Sequence, residues 1–231
     1  MAHMKRRVAV SFALIAISLS ACTKETDGNG KFRSTKELSD ALLSVTDMPA
    51  GWEESQRQIF ETRGNENPSI DPSVWCKQAE STAAPLVGLA GDAGADVEMT
   101  KPHGGGNGAS MLRLQAWSNA DVEEYFATAR EAVTECDNVT TTDENGAVST
   151  MTLVTDKNIG DESVSFSQQL TPPSGTKGEK FGSISRTTIA RFGKVLMVIQ
   201  VGDAAPTGTL ALMDETQWWN IVNLAANKLK K

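Results

Sequence analysis

Few residues of this chain have the means to do chemistry. His103 is one of two histidines; the other, His3, sits in Met1-Ala2-His3, a cloning remnant ahead of Met4. One His without Cys or acidic neighbours at ligand spacing cannot build a zinc site. A Ser-His-Asp hydrolase would lack its nucleophile elbow, because no G-x-S-x-G occurs. His103 therefore reads as a solvent-facing loop residue. Gly104-Gly105-Gly106-Asn107-Gly108-Ala109 can be set against G-x-G-x-x-A, but a dinucleotide site needs a helix N-terminus after the glycines. Here Met111–Trp117 alternates and predicts a strand instead. Ser174-Gly175-Thr176-Lys177 has the S-x-x-K spacing, whose Lys reaches the Ser only across one helical turn. Pro172, Pro173, Gly175 and Gly178 forbid that helix. The acidic pairs Asp143-Glu144 and Asp161-Glu162 lie in turns and complete no calcium loop. No catalytic residue, metal ligand or cofactor is assigned, and the expectation is a binding module rather than an enzyme.

The remaining chemistry belongs to cysteine and tryptophan. Lys5-Arg6-Arg7, the apolar run Val8–Leu19 and the small residues before Cys22 form a secretory signal over residues 1–21. The run is shorter than the roughly 20 apolar residues of a spanning helix. Ending on Cys22, it resembles the lipobox of bacterial lipoproteins, which implies a lipidated Cys22 and anchorage to the outer face of the cell membrane. Of the three cysteines, Cys76 and Cys136 are then left in a compartment that permits disulfides. A Cys76–Cys136 bridge is expected, worth roughly 4 kcal/mol on the chain-entropy model. Among five tryptophans, Trp52 and Trp117 are candidates for stacking on a ligand, although packing is the commoner use of an indole.

Charge narrows the partners. Loss of Lys5, Arg6 and Arg7 from 22 basic residues leaves 19 against 29 acidic, a net charge of −10. Nucleic-acid binding needs clustered Lys and Arg and is excluded on that ground.

The elements that must position these residues are legible in outline. Residues 22–33 form a polar tether, and the domain runs from 34 to 231. Ser34-Thr35-Lys36-Glu37 is a capping box leading a short helix with Leu38, Ala41, Leu42 and Val45 on one face. Met48-Pro49-Ala50-Gly51 ends it, and an extended segment follows from Trp52 to about Phe60. Asp71-Pro72 opens a helix through Cys76; Gly88–Gly94 reads as a small-residue connection and Val97–Thr100 as a brief strand. A helix is expected over Ser118–Cys136, capped by Ser118 and Asp121, with Val122, Phe126, Ala129, Val133 and Cys136 on its buried face. Period-two segments follow at 151–155, 164–170, 184–191 and 195–201. Val195–Ile199 is apolar throughout and should lie centrally in the sheet. Gly193-Lys194 reads as a hairpin turn, and a closing helix starts at Asp214. Helices, then antiparallel strands, then a helix make this an α+β domain of about five to seven strands.

Several phrases carry a family resemblance: L-x-x-x-D-M-P-x-G-W over Leu43–Trp52, helix-borne Cys76, the Trp117 phrase entering its helix, Cys136, and I-G-D-E-S at Ile159–Ser163. Together, over about residues 36–229, they are similar to the extracellular sensor domain of the mycobacterial Ser/Thr kinase H family and its stand-alone actinobacterial lipoprotein relatives. The resemblance implies a single twisted antiparallel sheet flanked by helices, with a cleft for an unidentified ligand. That family's sensor domain has two disulfides where this chain can form one. A PsbP/Mog1-type envelope interaction protein is the nearest alternative, also α+β.

Two functions follow as expectations. One is a lipid-anchored, extracytoplasmic, sensor-type binding protein that recognises a small ligand, an envelope component or a protein partner. The other is an envelope hydrolase with a site of dispersed carboxylates. A pocket holding two close carboxylates would favour the hydrolase; an apolar groove without such a pair would favour binding.

Overall fold

A strand that is apolar at every position must be covered on both faces, and the run Val195–Ile199 is placed accordingly. The computed structural model describes residues 33–61, 93–103, 108–119, 121–142, 146–155, 157–173, 181–206 and 213–231. Among these, eight strands form one antiparallel sheet: β1 (Glu53–Glu61), β2 (Ala93–Pro102), β3 (Ala109–Ser118), β4 (Thr140–Thr142), β5 (Val148–Val154), β6 (Glu162–Thr171), β7 (Phe181–Phe192) and β8 (Val195–Pro206). Three α-helices accompany it: α1 (Thr35–Ala41), α2 (Val122–Glu135) and α3 (Glu215–Leu229). The order across the sheet is β1-β2-β3-β8-β7-β6-β5-β4. After β3 the chain crosses through α2 to the far edge. It then returns by successive antiparallel neighbours until β8 lies against β3.

β8 divides two cores. Val195, Met197, Ile199 and Val201 join a cluster with Leu38 and Ala41 of α1 and Trp218, Val222 and Leu229 of α3. Leu196 and Val198 face the other way, into a cluster with Val122, Phe126, Ala129 and Val133 of α2. Each fully buried Leu, Ile or Phe side chain contributes roughly 1.5–3 kcal/mol. The α+β class therefore follows from one strand with two covered faces.

Local signals act as expected at several points. The Ser34 hydroxyl accepts from the Glu37 backbone N–H while the Glu37 carboxylate takes the Ser34 N–H. Asp214 caps α3 by accepting from Thr216 N and Gln217 N. Phe192 pairs with Val195 across the two-residue Gly193-Lys194 turn. The I-G-D-E-S phrase works as a pin. Asp161 N donates to Arg191 O at 2.8 Å, Asp161 Oδ2 accepts from Gly193 N at 2.6 Å, and Glu162 pairs with Arg191. Gly160 stands at φ +72°, and a Cβ there would lie 2.3 Å from Arg191 O, so only glycine fits.

Four expectations need correction. Five to seven strands become eight: Thr140–Thr142 pairs with Val148–Thr150 at the sheet edge, where a short all-Thr strand shows no apolar alternation. The stretch Ala93–Gly94 is strand, not connection, and β2 begins there. Its small residues serve close packing, since a Cβ on Gly94 would lie 2.7 Å from the Trp117 ring. Ser118 ends β3 opposite Val195 and accepts the Arg33 N–H instead of capping a helix. The N-cap of α2 is Asp121, whose side chain makes no capping bond. The first helix is also shorter than its apolar spacing suggests, with Val45 in a separate 3-10 turn over Val45–Asp47. Residues 1–32, and with them the signal, Cys22 and all but the end of the tether, lie outside the described residues, as does the helix expected around Cys76.

Candidate functional site

The face of the sheet that carries α2 is only half covered. On β8 the cluster under α2 takes Leu196 and Val198, but the next side chains on that face are Gln200, Gly202 and Ala204. Strand alternation carries the same change across the sheet. Trp117 on β3 gives way to Arg113 and Met111, and Ile189 on β7 gives way to Ser185 and Ser183. A groove of about 340 Å³ lies over this open half, bordered by residues of β1, β2, β3, β8, β7 and β6. Its apolar members include Met111, Leu170 and Ile184; its polar members include Ser55, Arg113, Ser185 and Gln200. Met111 is 52% exposed, which is unusual for a large apolar side chain and places its thioether at the groove. The volume is at the small end of the range for organic-ligand pockets.

One charged network lies beside the groove. Arg113 donates to Asp96 Oδ2 from Nε at 3.0 Å and from Nη2 at 2.6 Å, and Gln115 Nε2 reaches the same oxygen at 3.0 Å. Arg113 Nε also lies 3.4 Å from Glu98 Oε1. Asp96 is 3% exposed, and its Oδ1 is buried without a hydrogen-bond partner. Two carboxylates thus share one guanidinium, leaving a local excess of negative charge. Of the two acids that border the groove, Glu98 is paired with Arg113 and Asp203 with His103.

His103 is not the free loop residue its surroundings in sequence suggest. Its Nε2 lies 2.6 Å from Asp203 Oδ1 and 3.2 Å from Ser110 Oγ, and its side chain is 29% exposed. These are the residue types of a hydrolase triad in the wrong arrangement. A triad holds Ser and Asp on opposite ring nitrogens. Here both meet Nε2, so the nitrogen that would accept the Ser proton is already held by the carboxylate.

The stacking candidates are separated by the sheet. Trp52 is 4% exposed in the core under α1 and α3, and Trp117 is 7% exposed in the core under α2, with Gly94 against its ring. Neither borders the groove. Cys136, the C-cap of α2, is fully buried and disulfide-bonded; Cys22 and Cys76 lie outside the described residues, as do Asp143, Glu144 and the 174–177 stretch. Asp161 and Glu162 hold the Gly193 amide and Arg191, and no group of three His, Cys, Asp or Glu suited to a metal occurs among the described residues. No described helix is long and apolar enough to cross a membrane.

Fold and site together define an α+β domain, one eight-stranded antiparallel sheet with helices on both faces and an open groove on one. No protein-family model and no curated protein matches the chain. Among solved structures it is similar to the extracellular domain of PknH from Mycobacterium tuberculosis. The TM-score is 0.51 at 12% identity, over 86% of this chain and 97% of that one. At that identity the likeness is one of fold.

Proposed function

We propose that this protein is a lipid-anchored, extracytoplasmic, sensor-type binding protein that acts without catalysis and takes a small ligand, an envelope component or a partner segment in the groove. The observation that carries the reading is the half-open sheet face: after Val198 the large apolar side chains give way to Gln200, Gly202 and Ala204, and a groove remains. Of the bordering acids Glu98 is ion-paired with Arg113 and Asp203 is held by His103, which leaves no pair of carboxylates placed for general acid–base work. That favours binding over the dispersed-carboxylate hydrolase. The net negative network around Arg113 suits a ligand offering hydrogen-bond donors beside an apolar body. The fold-level similarity to an extracellular domain supports a place outside the membrane. Lipidation at Cys22 supplies the anchor, and Cys136 pairs with Cys76.

The test has two arms. Cys22→Ala should move the protein from the membrane to the soluble fraction; an unchanged membrane fraction would refute the anchor. Thermal-shift screening of envelope extracts should give stabilisation that Gly202→Val abolishes. A Cβ at Gly202 already meets Ser185 Cβ at 3.2 Å, so the larger side chain fills the floor. Stabilisation that survives the substitution would place binding elsewhere.

A further inference from the structure

The face of the sheet that carries α1 and α3 changes character beyond β8. In register across it stand Met99 of β2, Leu112 of β3 and Val201 of β8, all buried and apolar. The same row continues through Arg186 of β7, Ser167 of β6 and Thr152 of β5. Those last three span about 10 Å at the usual strand spacing. Ser165 and Thr188 flank the row on one side, and Gln169 on the other. Strand alternation from the two cores sends no Asp or Glu to this face from the described residues of β5, β6 or β7. In a chain with 29 acidic residues against 22 basic, an acid-free patch around an arginine is a departure.

Arg186 is the anomaly of the row. Its Nε and Nη1 are buried without a hydrogen-bond partner, while the side chain as a whole is part exposed. No carboxylate pairs with it among the described residues. Each other described arginine has a carboxylate or a carbonyl: Arg33, Arg57, Arg113, Arg130 and Arg191. Asp203, one register step away beside Ile184, is held by His103. Buried donors left unpaired are costly, and in a folded protein they mark the place of a missing ion or water. The neighbouring Ser167 hydroxyl is only loosely engaged, by a 3.5 Å bond to Thr152 O.

A guanidinium grips an oxyanion through two parallel N–H bonds. A planar carboxylate is satisfied by that fork alone. A phosphate carries close to two charges at neutral pH and has three acceptor oxygens, so it also engages hydroxyls on the adjoining strands. The Arg186–Ser167–Thr152 row has no apolar wall, which suits a small water-soluble molecule. We propose that this row binds the phosphate group of inorganic phosphate or of a small soluble phosphate monoester. Arg186 supplies the charge and the fork, Ser167 Oγ donates a further bond, and Thr152 borders the site at its exposed end. The proposal is independent of the groove, which lies on the other face.

The test is calorimetric titration of the full chain with inorganic phosphate, glycerol 3-phosphate and acetate at fixed ionic strength. At least one of the two phosphates should bind with a Kd of about 1 mM or tighter, and acetate at least about tenfold more weakly. Arg186→Met should remove phosphate binding. In phosphate-free buffer it should melt no lower than wild type, because it takes away an uncompensated charge. Ser167→Asp sets a carboxylate directly opposite Arg186; it should raise the melting temperature and abolish phosphate binding. No saturable binding of either phosphate by about 10 mM, acetate binding as tightly, or phosphate binding retained in Ser167→Asp would each overturn the proposal. A lower melting temperature of Arg186→Met in phosphate-free buffer would show a structural role for the arginine and overturn it as well.

Discussion

Replacing Gly94 with alanine tests how Trp117 is held. An ideal Cβ at Gly94 would lie 2.7 Å from Trp117 Cδ1, 3.1 Å from Trp117 Nε1 and 3.4 Å from Phe60 Cδ2. Carbon atoms in contact prefer about 3.5–4.0 Å, so the ring must move by roughly 1 Å. Trp117 shares a core with Val122 and Phe126, both 1% exposed or less, and close-packed neighbours resist such a shift. Overpacking of this kind costs about 1–3 kcal/mol. Against it stands the lower unfolded-state entropy of alanine, which returns about 0.4–1 kcal/mol. The net expectation for Gly94→Ala is a loss of about 0.5–2 kcal/mol, or very roughly 1–8 °C in a domain of this size. Urea unfolding followed by Trp fluorescence, with scanning calorimetry beside it, would measure the change. A second arm isolates the cause. In a Trp117→Leu background the ring is absent, so Gly94→Ala should become neutral or stabilising. Equal stability of wild type and Gly94→Ala, or the same loss in both backgrounds, would refute the packing account of Trp117.

Two further outcomes follow from charged groups. Burial alone would raise the Asp47 carboxyl, but hydrogen bonds from Lys228 and Ser44, with the Lys228 charge, hold it below its ordinary 3.8. A depressed carboxyl stabilises above its unfolded-state value and loses that contribution as pH falls through the folded one. The stability gap between wild type and Asp47→Asn should therefore be steady from neutral pH to about 5 and close below about 4; urea midpoints across pH would show it, and a gap that widens on acidification would contradict the sign. Asp96→Ala strands three donors, from Arg113 and Gln115, that converge on one oxygen. Breaking a fully buried pair costs about 3–5 kcal/mol, and with Arg113 28% exposed and still near Glu98 the expected loss is about 2–3 kcal/mol by denaturation; a loss under about 1 kcal/mol would show the network to be dispensable.

How far the sequence reaches depends on whether a signal is local. The capping box at Ser34, the Asp214 cap and the Gly193-Lys194 turn each act within four residues and could be read directly. The two-faced apolar run of β8 announced its central place. Thr140–Thr142 escaped notice because an exposed edge strand needs no apolar pattern. Gly94 looked like a connector because the ring that requires a glycine is 23 residues away in sequence. The groove gathers six strands, and no spacing in the sequence marks it. One signal did exist: after Ile199 the strand stops being apolar on both faces, with Gln200, Gly202 and Ala204 on the side α2 leaves open. The His103–Asp203 pair spans 100 residues and becomes visible only once β2, β3 and β8 are in register.

The groove reading has a direct test in the methionine methyl resonances of the protein. Met111 is half exposed at the groove, while Met197 is buried on the other face of the sheet and Met151 is buried under α2. Carbon-13 methyl spectra would be recorded while organic and aqueous envelope extracts are added. If the groove is the binding site, Met111 shifts in a saturable way with one fraction, Met197 and Met151 stay in place, and Gly202→Val removes the effect. A Met111 resonance unmoved by every fraction, or moved no more than Met197, would contradict the central claim.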